Sequence, residues 1–243
     1  MNRATPPSHT TKPSARWLSR GVIAIALASL LSDVGHETAT AVLPLFLVTI
    51  GGSPLVLGVI EGLADFAASA ARLWAGYIGG RLTRRKPFAA TAYFITAAAT
   101  SSFALATMWL HVLAGRTVAW LGRGFRSPLR DTLLAEQTVP AAFGKAFGFE
   151  RAMDAVGAIL GPLMALVLLA AATPLRTILA VTIVPGLLAG LLFLTIHERG
   201  GVRPTQSFWQ TTITLPAPFR RFLFAVGVFG AGDFSRTLLI LWA

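Results

Sequence analysis

Asp33, His36 and Glu37 interrupt an apolar run that extends from Arg20 to Ile50. Their spacing of i, i+3 and i+4 puts them on one face of a helix. Counted from Gly21, Asp33 lies about 18 Å along the axis, near the middle of a ~30 Å hydrocarbon core. Ionisable groups at that depth are costly, and they face a bundle interior or a water-filled path. The chemistry open to them is proton uptake and release: burial favours the neutral carboxyl, and a nearby arginine favours the carboxylate. His36 could titrate as well, or serve as a hydrogen-bonded packing residue. Further apolar runs also carry charge. Glu61, Asp65 and Arg72 share a face, as do Arg123, Arg126 and Arg130, with Arg116 two turns before and Asp131 beside them. Glu150, Arg151 and Asp154 open a later run.

These groups divide by expected role. Asp33 or Glu37 is favoured for proton coupling, with Glu61 and Asp65 as further acids at depth and Arg116, Arg123 and Arg126 as their candidate partners. The arginine face fits either an anionic substrate or neutralisation of the acids, and the sequence leaves both open. For Arg72 and Arg130, snorkelling to the surface and a place in the charged group stay equally open. Glu150, Arg151 and Asp154 read as an ion-pair network holding one helix against another, and Asp131 as a local partner of Arg130 or of a loop cation.

A bundle must enclose such a face, and the composition supplies one. Of 243 residues, 54% are hydrophobic and 13% charged, with mean hydropathy +0.67. That is the profile of an all-α, polytopic helical membrane protein. Seven apolar segments are expected, at roughly 20–49, 55–79, 88–108, 112–137, 147–171, 176–196 and from 219 onward. Residues 1–19 read as a disordered cytoplasmic tail, 20–196 as a six-helix bundle, 197–218 as a cytoplasmic linker, and 219–243 as the start of a second bundle whose helix is still running at Ala243. The net charge of +11 does not indicate nucleic acid, because the basic residues sit in short joints between apolar runs. Arg81, Arg84, Arg85 and Lys86 fall in one set of joints with the N-terminus, and the opposite set holds only Arg176. By the positive-inside rule the N-terminus is cytoplasmic. A repeat at an offset of 200 residues matches Arg220 to Arg20 and Asp233 to Asp33, the pattern of parallel-repeat transporters.

Small residues punctuate the packing. Gly157 and Gly161, followed by Pro162, allow a close neighbour and a kink. Gly76, Gly79 and Gly80 are expected to do the same near the end of the second helix, and Gly122 and Gly124 in the fourth. At these motifs the chain resembles the N-terminal half of a major facilitator superfamily transporter. Gly76 to Lys86, with Arg81, Arg84 and Arg85, resembles the superfamily's loop signature, although its aspartate is Gly80 here and its second glycine Thr83. Arg116 with Gly122 and Gly124 is similar to the fourth-helix signature. Gly157, Gly161 and Pro162 match the core of the antiporter signature, whose terminal glycine pair is Ala165 and Leu166 here. Gly122 to Glu136 resembles a bacterial branch of the superfamily. The resemblance implies a six-helix half, the start of a seventh helix, and residence in a bacterial inner membrane.

Proton-coupled antiport, exporting a small molecule by alternating access, is the first functional reading. Proton-coupled uptake of an organic anion is the second. The third is an inactive half, or one dependent on a second chain for the missing bundle. The expected partners are the lipid bilayer, a small-molecule substrate and protons. An enzyme is not expected. His36-Glu37 would begin a zinc-protease helix only with a second histidine four positions after the first, and that position is Thr40. No His or Cys cluster suggests a metal, and no cofactor is implied.

Overall fold

The computed structural model describes residues 17–198 and 216–231, and all regular structure among them is helical. The helices are α1 (Arg20–Thr49), α2 (Pro54–Gly79), α3 (Lys86–Ser101), α4 (Trp109–Glu136), α5 (Phe143–Ala170), α6 (Leu175–Val181), α7 (Ile183–Leu194) and α8 (Ala217–Ala231). Asp233 and most of the expected tail and linker lie outside the described residues.

Local chemistry sets the boundaries. The Ser19 hydroxyl accepts the Val22 N–H at 3.2 Å, and Ser53 does the same for Val56 at 3.3 Å, so α1 and α2 start at side-chain caps. Pro87 sits in the first turn of α3, where its missing N–H costs nothing. The third helix is shorter than expected. It ends at Ser101, continues as a 3-10 turn over Ser102–Leu105, and turns extended at Ala106. The freed Ala104 and Ala106 carbonyls accept from the Arg176 guanidinium at 2.7 and 2.8 Å. That cap explains the lone cation expected on this side. The sixth expected helix is two pieces that meet at Thr182. Pro185 cannot donate to the Val181 carbonyl, and the Thr182 hydroxyl bonds Leu179 O at 2.6 Å instead.

The chain is inside out relative to a water-soluble protein. Leu55, Phe66, Leu73, Ile159, Leu166, Val167 and Leu191 are exposed, while Asp33, Glu61, Arg116, Arg126, Arg130 and Glu150 are buried. Five helical stretches among the described residues are long and apolar enough to cross a membrane: Arg20–Thr49, Pro54–Gly79, Lys86–Leu105, Pro140–Ala170 and Leu175–Leu194. α4 matches them in length, with 28 residues, but its arginines lower its hydropathy.

α1 packs along α5 and against α7, while α4 packs between α2 and α3. Two apolar clusters hold the ends of the bundle. One joins Val22, Ile25 and Ala28 of α1 to Leu129 and Leu133 of α4, Tyr93 and Phe193. The other joins Val42, Leu43 and Phe46 to Leu57, Ile60, Phe103, Val112 and Ile178. Between them α1 presents Ser29, Ser32, Asp33, His36 and Thr38, all buried. This polar belt runs about 14 Å along the axis.

Candidate functional site: the charged belt

α4 supplies the cations of the belt, and its neighbours supply the anions. Asp33 on α1 is 2% exposed. Its carboxylate meets Arg123, with Nη1 at 3.0 Å from Oδ1 and Nη2 donating to Oδ2 at 3.1 Å. One hydrogen bond and one ion-pair contact thus compensate a carboxylate that lipid could not hold. Arg126, one turn on, lies 3.9 Å from Asp33 and donates to Ser32 Oγ at 2.6 Å. Its guanidinium also covers the Tyr93 ring at 4.1 Å.

A second pair lies toward the other end of the belt. Arg116 Nη2 sits between the two oxygens of Glu61, at 3.0 and 3.1 Å, and Nη1 donates to the Thr40 hydroxyl at 3.0 Å. Trp120 separates the two pairs. Its ring lies 5.1 Å from the Arg116 guanidinium, 5.3 Å from that of Arg123 and 4.6 Å from the His36 ring.

A third cluster ties α4 to α5. Arg130 Nη1 lies 2.7 Å from Glu150, which is wholly buried, and donates to Ser29 Oγ at 3.0 Å. Ser29 in turn donates to Glu150 at 2.8 Å. Arg130 also bonds Asp131, and Arg151 lies near Asp131, Glu150 and Asp154. Arg130 therefore does not snorkel. It is 4% exposed and enclosed by carboxylates. Arg72 is exposed, and with Arg123, Arg126, Arg130, Asp131, Arg151 and Asp154 it lines a polar cavity of about 400 Å³.

The acids expected to act together are divided. Asp33 faces α4, His36 lies against Trp120, and the Glu37 Cβ lies beside Gly161 of α5. Glu61 is buried, whereas Asp65 is exposed. The helix-5 glycines explain how α1 carries such groups against α5. A Cβ on Gly157 would lie 2.5 Å from the Leu30 carbonyl, and one on Gly161 would lie 2.7 Å from the Glu37 Cβ. Thr38 Oγ1 bonds the Gly161 carbonyl at 3.0 Å across this seam.

The loop between α2 and α3 is locked from below. Arg85 is buried, with Nε donating to the Gly79 carbonyl at 2.7 Å and Nη1 paired with Glu136 at 2.7 Å. Its backbone N–H donates to the Glu198 carboxylate. Lys86 Nζ caps the Leu194 and Ile196 carbonyls at 3.2 and 3.0 Å. These bonds fasten the ends of α2, α3, α4 and α7 together where the loop signature's aspartate is replaced by Gly80. Gly76 admits no neighbour: a Cβ there meets nothing within 4 Å, against the expected close approach. Gly79 does, with Leu129 at 2.9 Å.

Sequence reasoning missed Ser29, Ser32, Thr40, Tyr93, Trp120 and Glu136. Trp120 carried a signal, standing one turn from both Arg116 and Arg123. Glu136 carried another, because a carboxylate at a helix C-terminus opposes the dipole and calls for a cation. Among the described residues no cluster of His, Cys, Asp and Glu could hold a metal ion.

The comparisons with known proteins agree with this architecture. The chain is 27% identical over 230 residues to an uncharacterized MFS-type transporter of Methanocaldococcus jannaschii, covering 94% of this chain and 58% of that protein. It is 30% identical over 214 residues to an uncharacterized protein of Mycobacterium tuberculosis, covering 86% of this chain and 50% of that one. The chain thus spans about half the length of these relatives. A bacterial homolog of the human lysosomal transporter Spinster, inward-facing and occupied, superposes with a TM-score of 0.66 at 16% identity, over 79% of this chain and 46% of that one. A POT family transporter in complex with a thioalcohol-conjugated peptide gives 0.66 at 12% identity, over 87% and 45%. At those identities the likeness is one of fold. The profile of the Major Facilitator Superfamily matches residues 25–243, and with that match the chain belongs to this superfamily.

Proposed function

We propose that the chain serves secondary active transport of a small molecule, coupled to protons by antiport and directed to export. The observation that carries this reading is the Asp33–Arg123 pair. Asp33 is buried at mid-helix, and its partner Arg123, with 18% of its side chain exposed, lines the polar cavity. A solute anion or a rearrangement that draws Arg123 away leaves Asp33 with only the more distant Arg126, 3.9 Å off and engaged with Ser32. Loss of its two-point partner favours the protonated form of a carboxyl so buried. Return of Arg123 releases that proton. Exchange of proton and solute at one arginine couples the two fluxes. The helix-5 glycine signature supports antiport and export, and alternating access needs a second bundle. Further sequence or a second chain supplies it.

A second reading is uptake of an organic anion. The cavity favours it, since Arg72, Arg123, Arg126, Arg130 and Arg151 outnumber Asp131 and Asp154 among its lining residues.

Reconstituted vesicles with an imposed pH gradient test both. Asp33→Asn is expected to abolish proton-driven flux while leaving membrane insertion intact, and normal coupling in that variant would refute the role of Asp33. Arg126→Gln is expected to weaken binding of an anionic solute. Unchanged affinity would assign that arginine to ion pairing alone.

A further inference from the structure

The outer side of α4 carries a second site. Arg123, Arg126 and Arg130 face the polar cavity, whereas Val118, Leu121, Gly122 and Phe125 point the other way, at i, i+3, i+4 and i+7. α4 separates α2 from α3, and the space between those two helices is a groove of about 1020 Å³ floored by α4. Ala70, Ala71 and Trp74 form one wall, and Phe88, Thr91 and Ile95 the other. Thr91 is the one polar side chain among these residues. Beyond Ile95 the hollow continues between α3 and α4 alone, without the α2 wall.

Two features identify what this groove takes. The first is length. Pro87 to Ile95 covers about 12 Å of α3, close to one leaflet of a ~30 Å core. An acyl chain of one leaflet matches this three-walled stretch, and the hollow beyond it lacks the α2 wall. The second is charge. The walled end opens at the basic loop, three residues from Arg84. Arg85 and Lys86 are already engaged, by Glu136 and by the Leu194 and Ile196 carbonyls. Arg84 and Arg81 are exposed, and among the described residues no carboxylate lies within ion-pair distance of either. Arg81 rests on the Tyr77 ring at 4.3 Å, which holds it near this end of α2. Trp74, one turn before Tyr77, meets Phe125 with ring centroids 5.9 Å apart and planes tilted by 54°.

From this geometry we propose a binding site for an anionic phospholipid, with an acyl chain in the α2–α3 groove and the headgroup phosphate held by Arg84 and Arg81. Apolar contact cannot select the ligand, because acyl chains gain nothing by leaving other chains. Selection rests on net headgroup charge: the phosphate of an anionic lipid has no choline cation beside it to repel the two guanidinium groups. Each guanidinium near the surface favours an anionic lipid by about fivefold, and the pair by about 25-fold.

Photolabelling of the purified full chain in detergent micelles tests the site. The probe is phosphatidylglycerol with a diazirine in its acyl chain. In the wild-type chain the label is expected on peptides holding residues 70–74, 88–95 and 118–125. Unlabelled phosphatidylglycerol should compete at roughly one-twenty-fifth of the concentration needed for phosphatidylcholine of the same chains. The double variant R81Q/R84Q, altered only in an exposed loop, should lose that preference. Ala70→Trp fills the groove from an exposed position and should lower labelling at all three peptides while the loop arginines remain. Equal competition by the two lipids would overturn the proposal. So would a preference that survives R81Q/R84Q, a label elsewhere on the chain, or a groove protected by a second copy of the chain. If Ala70→Trp does not fold, the wild-type map and the loop variant decide.

Discussion

Replacing Arg116 by Met tests whether the charged belt consists of compensated pairs. Arg116 and Glu61 are 1% and 4% exposed at their side chains, and one nitrogen donates to Oε2 at 3.1 Å while lying 3.0 Å from Oε1. Arg116→Met leaves Glu61 buried without its cation, a change that costs about 3–5 kcal/mol. For a chain of this size that is a fall in melting temperature of about 6–20 °C. Glu61→Leu should cost a similar amount, because it strands the guanidinium. The double variant Glu61→Leu/Arg116→Met removes both charges and fills the space with apolar volume. Such replacements are neutral or stabilising by about 1–4 kcal/mol, so the double variant should melt at or above the wild type. The assay is thermal unfolding in one detergent, followed by tryptophan fluorescence. Trp120, 5.1 Å from the Arg116 guanidinium, reports locally. Arg116→Met melting within about 2 °C of the wild type would refute the reasoning. A double variant no more stable than either single one would refute it equally.

Other outcomes follow from the same geometry. Gly157→Val places a side chain against the Leu30 carbonyl and the Asp33 Cβ, at 2.5 and 3.0 Å for the first carbon alone. It should destabilise by about 1–3 kcal/mol or more in the same unfolding assay, and an unchanged melt would show that α1 and α5 can part without cost. Ala172, in the turn after α5, has φ 55°. Ala172→Gly should raise stability by roughly 1 kcal/mol, read as a higher melting temperature. Arg85→Gln removes the Glu136 pair and the Gly79 cap. Hydrogen exchange should then accelerate in residues 78–90 and leave the α5–α6 turn as it was; protection unchanged at 78–90 would rule out the lock.

Much of the fold was legible in the sequence because lipid imposes a strict rule: apolar length marks a span, and charge marks the joints. α1 begins and ends where the pattern places it, and α2 differs by one residue. The break at Thr182 was not legible, since Pro185 inside an apolar run is compatible with a kink or a stop. The Arg130–Asp131 pair and the ion network that ties α5 to α4 were legible, whereas the pairing of Asp33 with Arg123 and of Glu61 with Arg116 was not. Helical spacing assigns Asp33, His36 and Glu37 to one face, but that face is broad enough to touch α4 and α5 at once. Partner choice depends on helix rotation, which the Gly157–Gly161 seam sets. Hydroxyls such as Ser32 and Thr40 escaped notice because an uncharged residue in an apolar run carries no mark of what it bonds.

The distribution of charge over the helices also bears on how the chain enters the bilayer. α4 holds Arg116, Arg123, Arg126 and Arg130. At about 2.5–3.5 kcal/mol for one at the bilayer centre, and less toward the ends of the span, together they would oppose insertion of an isolated α4 by several kcal/mol, on the order of 10 at most. Their counter-charges Asp33 and Glu61 belong to α1 and α2, which leave the ribosome first. When α4 emerges, the acids that neutralise Arg123 and Arg116 already stand in the membrane, and Glu150 follows for Arg130. α4 thus partitions into protein rather than lipid, and the placing of Asp33 and Glu61 ahead of their arginines in the chain eases its entry.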